Sequence, residues 1–246
     1  MTSPEIRLQS EYIYVSNIPA TLNLKKYEGK KILVVGGGPT TNAVNWENID
    51  YDFLFSCNDY YLCEKLVNRK VDTITLLNKA FRGNRASKFI DSTLQAKLDT
   101  DNTLIGIEPY HSQEIYGTDK YKNFIQKYKD RCVFFNTKFQ NKSGAAPRVV
   151  LFATILKPKV IYMVGIDGHK GNNTVHSFNK DIEGPTDYPY VTINKHHLEF
   201  AKYLYALSTQ LGIQIYNLGV GHKDNATSEF SIQNYPLTSE IKEALK

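Results

Sequence analysis

The chain has 246 residues, 41% of them hydrophobic and 22% charged, with a net charge of +5. That is enough to bury the core of one domain, and it excludes a disordered or fibrous chain. No apolar run is long enough to span a bilayer, the opening MTSPEIRLQS lacks the basic-then-apolar pattern of a signal peptide, and three cysteines at unmatched spacings point to a reducing cytoplasm.

Along the chain, KILVVGG (31–37) and DFLFSC (52–57) read as strands bounded by turn-forming residues, and VDTITLL, TLIGI and RCVFFN continue the series. SGAAPRVVLFATIL (143–156) reads as a helix. Ser143 suits its N-cap, Pro147 falls at the first turn, and Lys157-Pro158 stops it. KVIYMVGI (159–166) is the next strand. The segment 168–193 is polar, bears Gly and Pro, and lacks sustained periodicity. It begins where a strand ends, at the edge where open α/β sheets bind ligands, so a lid is expected there. HHLEFAKYLYALSTQLG (196–212) carries a helical stripe of Leu198, Ala201 or Tyr203, Leu204, Leu207 and Leu211, and Gly212 ends it. IQIYNL (213–218) closes the series. Apolar strands alternating with helices predict an α/β fold: a Rossmann-like, mostly parallel sheet with helices on both faces. The expected organisation is a single domain over 1–246, with the lid at 168–193 inserted in it.

GGGPTT follows the first strand as a phosphate-binding turn does, and a helix after it would add its dipole. No Gly-Lys-Ser/Thr follows, which rules out a Walker loop. Gly36-x-Gly38 matches the start of a dinucleotide fingerprint, but Thr41 stands where the third glycine belongs. Asp59, after the second strand, keeps an NAD reading open. Two Asp-x-Asp pairs, Asp50/Asp52 and Asp99/Asp101, precede strands at the edge away from the expected site and read as structural turns. HExxH, EF-hand and GxSxG patterns are absent, and three cysteines at unmatched spacings form neither a zinc site nor a disulfide framework. No metal and no resident cofactor are expected. The lysine excess is scattered rather than striped with aromatics, which argues against nucleic acid and suits anionic ligands.

GGGPT after the first strand, CNDYY (57–61) after the second, NKSGAA (141–146) opening a helix, KVIYMVGIDG (159–168) and a histidine-bearing helix after a polar segment occur in that order. This order resembles the bacterial CMP-sialic-acid-dependent sialyltransferases of glycosyltransferase family 42, whose stretches read GNGPS, CNQFY, a T-S-G helix start and IYLSGIDFY. The likeness runs from about Lys31 to Leu218. It implies that Gly36, Gly38, Pro39 and Thr40 lie beneath the phosphate and ribose, with Asn58 near the donor sugar and phosphate. Ser143 and Gly144 would face the sugar carboxylate or ring, and Gly165, Ile166 and Asp167 would line the cytidine pocket. The family's catalytic base corresponds to His196 or His197, with His176 as the substitute. The chain departs from the pattern at Gly37, where the family has asparagine. Lys142 and Gln140 also differ, and two lid tyrosines that hold the leaving phosphate correspond to His169 and to Val175 or His176.

The resemblance implies a metal-independent glycosyltransferase that moves a sialic or Kdo-like acid from a CMP-linked donor substrate to a glycan or lipid-linked glycan hydroxyl. Histidine suits the base because its unperturbed pKa of about 6.5 is matched to neutral pH. A lipid-linked acceptor would bring the protein to the inner membrane surface as a peripheral partner, and homo-oligomerisation stays open. Two other readings of the glycine loop remain. One is a pterin pyrophosphokinase-like enzyme that needs Mg²⁺ and ATP, and the other is a non-catalytic nucleotide- or NAD-binding module.

Overall fold

The computed structural model describes residues 13–16, 18–76, 92–108, 119–137, 145–166, 178, 190–219 and 238–246, with the side chains at 13, 14, 16, 137 and 190–198 outside that description. Among the described residues one sheet holds eight strands: β1 (Ile13–Ser16), β2 (Lys31–Val35), β3 (Phe53–Cys57), β4 (Thr73–Leu76), β5 (Leu104–Ile107), β6 (Cys132–Thr137), β7 (Val160–Val164) and β8 (Gln214–Asn217). The described helices are α1 (Thr40–Ala43), α2 (Glu64–Val67), α3 (Ser92–Asp101), α4 (Asp119–Tyr128), α5 (Ala145–Ile155), α6 (Tyr190–Leu211) and α7 (Ser239–Ala244), with short 3-10 turns between some of them. Strand order is β1-β6-β5-β4-β3-β2-β7-β8, parallel from β2 to β8 and antiparallel only where β1 meets β6. β4, β5 and β7 are buried at every residue; β5 and β7 accordingly read as unbroken apolar runs, whereas β4 alternates Thr73 and Thr75 with Ile74 and Leu76.

From β2 the chain adds β3 to β6 in one direction, then returns to lay β7 against the other side of β2. Right-handed crossovers therefore put α5 and α6 on one face and the β2–β6 connections on the other. The expected α/β Rossmann-like fold is the one found. At the reversal between β2 and β7 the connecting loops diverge at the carboxyl edge of the sheet, the place where such sheets bind ligands.

α5 is apolar nearly all round and, Ala146 apart, is buried along its whole length, as a helix without a polar face must be. It lies over β2, β3, β4 and β7 and packs against α6. Its one charge, Arg148, pairs through Nε with the carboxylate of Glu108 at the end of β5, and both side chains are 2% exposed. On α6, Phe200, Ala201, Leu204 and Leu207 are buried while Lys202 and Tyr205 are exposed; of the stripe expected from the sequence Ala201, Leu204 and Leu207 are buried, Leu211 is half-buried, and Leu198's side chain lies outside the description. Gly212, at φ +66°, ends the helix.

Three boundaries differ from expectation. α6 begins at Tyr190, not at the histidines, so residues 190–193 of the predicted lid belong to the helix, and the rest of the segment 168–193, Phe178 apart, lies outside the described residues. Pro189, just ahead of the first turn, is compatible with a helix start. β1 was not anticipated, because four residues paired only to a distant strand carry little local signal. The helix after the glycine loop is a single turn: Thr40, Thr41 and Asn42 are weak helix formers, and Val44 is already extended. It adds little of the dipole expected there.

Candidate functional site at the carboxyl edge

The loop after β2 is locked to the exit of β7. The N–H of Gly36 donates to Val164 O at 2.8 Å and that of Gly38 to Gly165 O at 2.8 Å. In return Gly165 N–H donates to Thr40 Oγ1 at 3.0 Å, and Thr41 Oγ1 donates to Gly36 O at 2.6 Å. Trp46, fully buried, donates from Nε1 to Thr41 O at 2.8 Å and so fixes the segment that leaves the loop. The N–H of Gly37 has no partner among the described residues, although the residue is buried.

Glycine is required at both crossing points. A Cβ on Gly36 would stand 2.5 Å from Gly165 O and 2.9 Å from the Cβ of Ala146. Gly165 sits at φ +70°, and a Cβ there would overlap Thr41 Oγ1 and the Gly36 carbonyl. Two backbones thus meet at the switch point with nothing between them.

Asn58 follows β3 in the left-handed region, at φ +43°, which asparagine tolerates, and its N–H reaches Thr75 O at 3.4 Å. Since Val34 pairs with Phe55, continuing the register sets Asn58 beside Gly37. On the other side Val34 pairs with Met163, and Met163 with Asn217. Just past the strand ends, Gly36 and Gly165 meet backbone to backbone as a floor without side chains. Gly36, Gly37, Gly38, Pro39, Thr40, Asn58, Gly165 and Ile166 are therefore gathered along three adjacent strand exits. His196 and His197 lie in the second turn of α6, with their side chains beyond the description. Ser143, Gly144, Asp167, His169 and His176 lie outside the described residues.

The two Asp-x-Asp pairs are occupied at the opposite edge. Asp52 accepts the N–H of Lys31 at 2.8 Å, and Asp50 holds the Lys31 ammonium at 2.5 Å. Asp101 accepts Val71 N–H at 2.9 Å and binds Lys97. Burial alone would raise the Asp99 carboxyl, but hydrogen bonds from Lys127 and Arg131 outweigh it and hold the group below the ordinary carboxylate range. Among the described residues no three His, Cys, Asp or Glu side chains are grouped as metal ligands, and no described helix is long and apolar enough to cross a membrane. The three cysteines are free and buried.

Sequence reasoning missed two features of this region. Arg148 and Glu108 look like ordinary surface charges in the sequence. The one hint is that Arg148 interrupts an otherwise uncharged helix. Thr41 reads as a defect in a dinucleotide motif but acts as the clasp on Gly36.

No protein-family model matches the chain, and neither does any curated protein sequence. Among solved structures, the fold is similar to that of the monofunctional alpha-2,3-sialyltransferase Cst-I from Campylobacter jejuni, with a TM-score of 0.59 and 16% identity over 90% of this chain and 87% of that one. It is also similar to the sialyltransferase Cst-II in complex with a trisaccharide acceptor and CMP, with a TM-score of 0.51 and 16% identity over 87% of this chain and 98% of that one. The chain thus shares the fold of two sialyltransferases, the kind of protein its ordered motifs resemble.

Proposed function

We propose that the chain is a glycosyltransferase that moves an acidic sugar, sialic acid or a Kdo-like acid, from a CMP-activated donor to a glycan hydroxyl. The observation that carries this reading is the direct crossing of Gly36 and Gly165 at the switch point, in a chain folded like a sialyltransferase that was crystallised with CMP and an acceptor. A floor of bare backbone admits a phosphate closely, and the N–H of Gly37 supplies a donor for it.

In the proposed reaction the acceptor oxygen bonds to the anomeric carbon as the bond from that carbon to the phosphate oxygen breaks. His196 or His197 takes the hydroxyl proton, and CMP leaves with the bonding electrons. Charge on the departing phosphate is met by hydrogen-bond donors rather than a metal ion. The enzyme works in the cytoplasm, and a lipid-linked acceptor would bring it to the inner membrane face.

The test is a thermal-shift screen with CMP, CTP, UDP, ADP, GDP and NAD, followed by a released-nucleotide assay with CMP-sialic acid and CMP-Kdo. Selective stabilisation by cytidine nucleotides and turnover unchanged by EDTA are expected. No cytidine binding at millimolar concentration sinks the proposal, and turnover needing ATP and Mg²⁺ would favour the pyrophosphokinase reading instead.

A further inference from the structure

The carboxyl end of β8 holds a buried amide nitrogen that neither the fold nor the proposed reaction uses. Asn217 is the last residue of that strand and is 3% exposed. Its Oδ1 accepts the N–H of Gly219 at 3.0 Å, which turns the side chain past the end of the strand and fixes which amide atom is which. Nδ2, with two hydrogens to donate, is buried and has no hydrogen-bond partner among the described residues. An unpaired buried donor is destabilising, and folds keep few of them without a use.

The position of this amide suggests the use. Asn217 pairs with Met163 and Met163 with Val34, so the three share one face of the sheet. Gly36, two residues beyond Val34, would aim its Cβ at Ala146, so this is the face that α5 covers. The amide lies on the β8 side of the glycine floor, two strands from Gly36. A nucleotide with its phosphate on the 36–38 loop and its nucleoside across the β7 exit would bring its base toward Asn217. A neutral donor there suits an uncharged acceptor better than a phosphate or carboxylate.

We propose that Asn217 Nδ2 donates to the acceptor edge of the nucleobase and sets a preference for cytosine over uracil. Cytosine presents O2 and N3 as adjacent acceptors, whereas uracil carries a hydrogen on N3 that would face the hydrogens of the amide. The nitrogen is closed to solvent, so the base reaches it by displacing what covers it. This inference rests on the reading of the site as a CMP-sugar site.

Titration calorimetry on the full chain with CMP and UMP tests it, comparing the wild type with Asn217→Leu and Asn217→Asp. The aspartate keeps an acceptor for Gly219 and removes the donor. Both variants are expected to bind CMP at least about tenfold more weakly and to lose the CMP-over-UMP preference. CMP affinity within about twofold of the wild type, with the preference intact, overturns the inference, and so does a stability loss without an affinity loss, the mark of an amide satisfied by an internal water. If the leucine variant does not fold, the side-chain amide resonances of Asn217 in the wild type serve instead: they should move on CMP addition, and unmoved resonances overturn the inference. A wild type that binds CMP while its variants bind it equally well defeats only this inference. A wild type that binds no CMP defeats the proposed function and this inference with it.

Discussion

Thr41 and Gly165 show how single residues set the site. The threonine hydroxyl closes on Gly36 O at 2.6 Å, in space left free only because Gly165 has no side chain. Gly165→Ala combines a left-handed backbone with an overlap on both partners, so a loss of at least about 1–3 kcal/mol is expected, read as a lower denaturation midpoint. CMP binding should fall with it, since the two loops cannot both keep their places. The histidines are a different case. Removing a general base costs roughly 10²–10⁴-fold in turnover, so one of His196→Ala and His197→Ala should show that loss in the released-CMP assay while CMP affinity stays unchanged. The base must be unprotonated, so kcat/KM should fall on the acid side in the wild type, and that fall should vanish in the defective variant.

Among the elements, α5 carries the central packing and also a buried charge. Arg148 and Glu108 join the helix to the end of β5, and neither side chain is screened by water. Breaking such a pair leaves one charge stranded, so Arg148→Met alone should cost about 3–5 kcal/mol in urea unfolding. Arg148→Met combined with Glu108→Leu should recover most of it, because the desolvation penalty disappears along with the attraction. Which elements were legible follows from the same physics. β2, β3 and β7 are apolar runs flanked by turn residues, and α5 is an uninterrupted apolar segment, so each announces itself locally. β1 exists only through its pairing with β6, a contact more than a hundred residues away that no local window contains. The start of α6 was hidden because Tyr190, Val191, Thr192 and Ile193 are poor helix formers and follow a proline. The glycine floor was half legible. Its motif stands in the sequence, whereas the meeting of Gly36 with Gly165 depends on a reversal of strand order.

For the molecule as a whole, burial fixes the response to alkali. It pushes the Cys57 and Cys63 thiols up, and it carries both the Cys132 thiol and the Tyr27 phenol to about 12. The native chain therefore keeps protons that the unfolded chain gives up. Stability from these groups is complete below the ordinary thiol pKa and declines as pH climbs between about 9 and 12, where the unfolded state binds fewer protons. Melting temperatures measured across that range should fall, and the three thiols should resist disulfide-exchange reagents until the chain unfolds. At its far edge the sheet carries a consequence of another kind. β1 runs against the direction of every other strand and lies along β6, whose CVFFNT would otherwise offer a row of open backbone groups beside apolar side chains. Removing the first 16 residues would bare that edge to a second copy of itself. A chain shortened in this way should leave a sizing column as dimers and larger aggregates, so affinity tags belong at the C-terminus and the N-terminal segment should be kept intact.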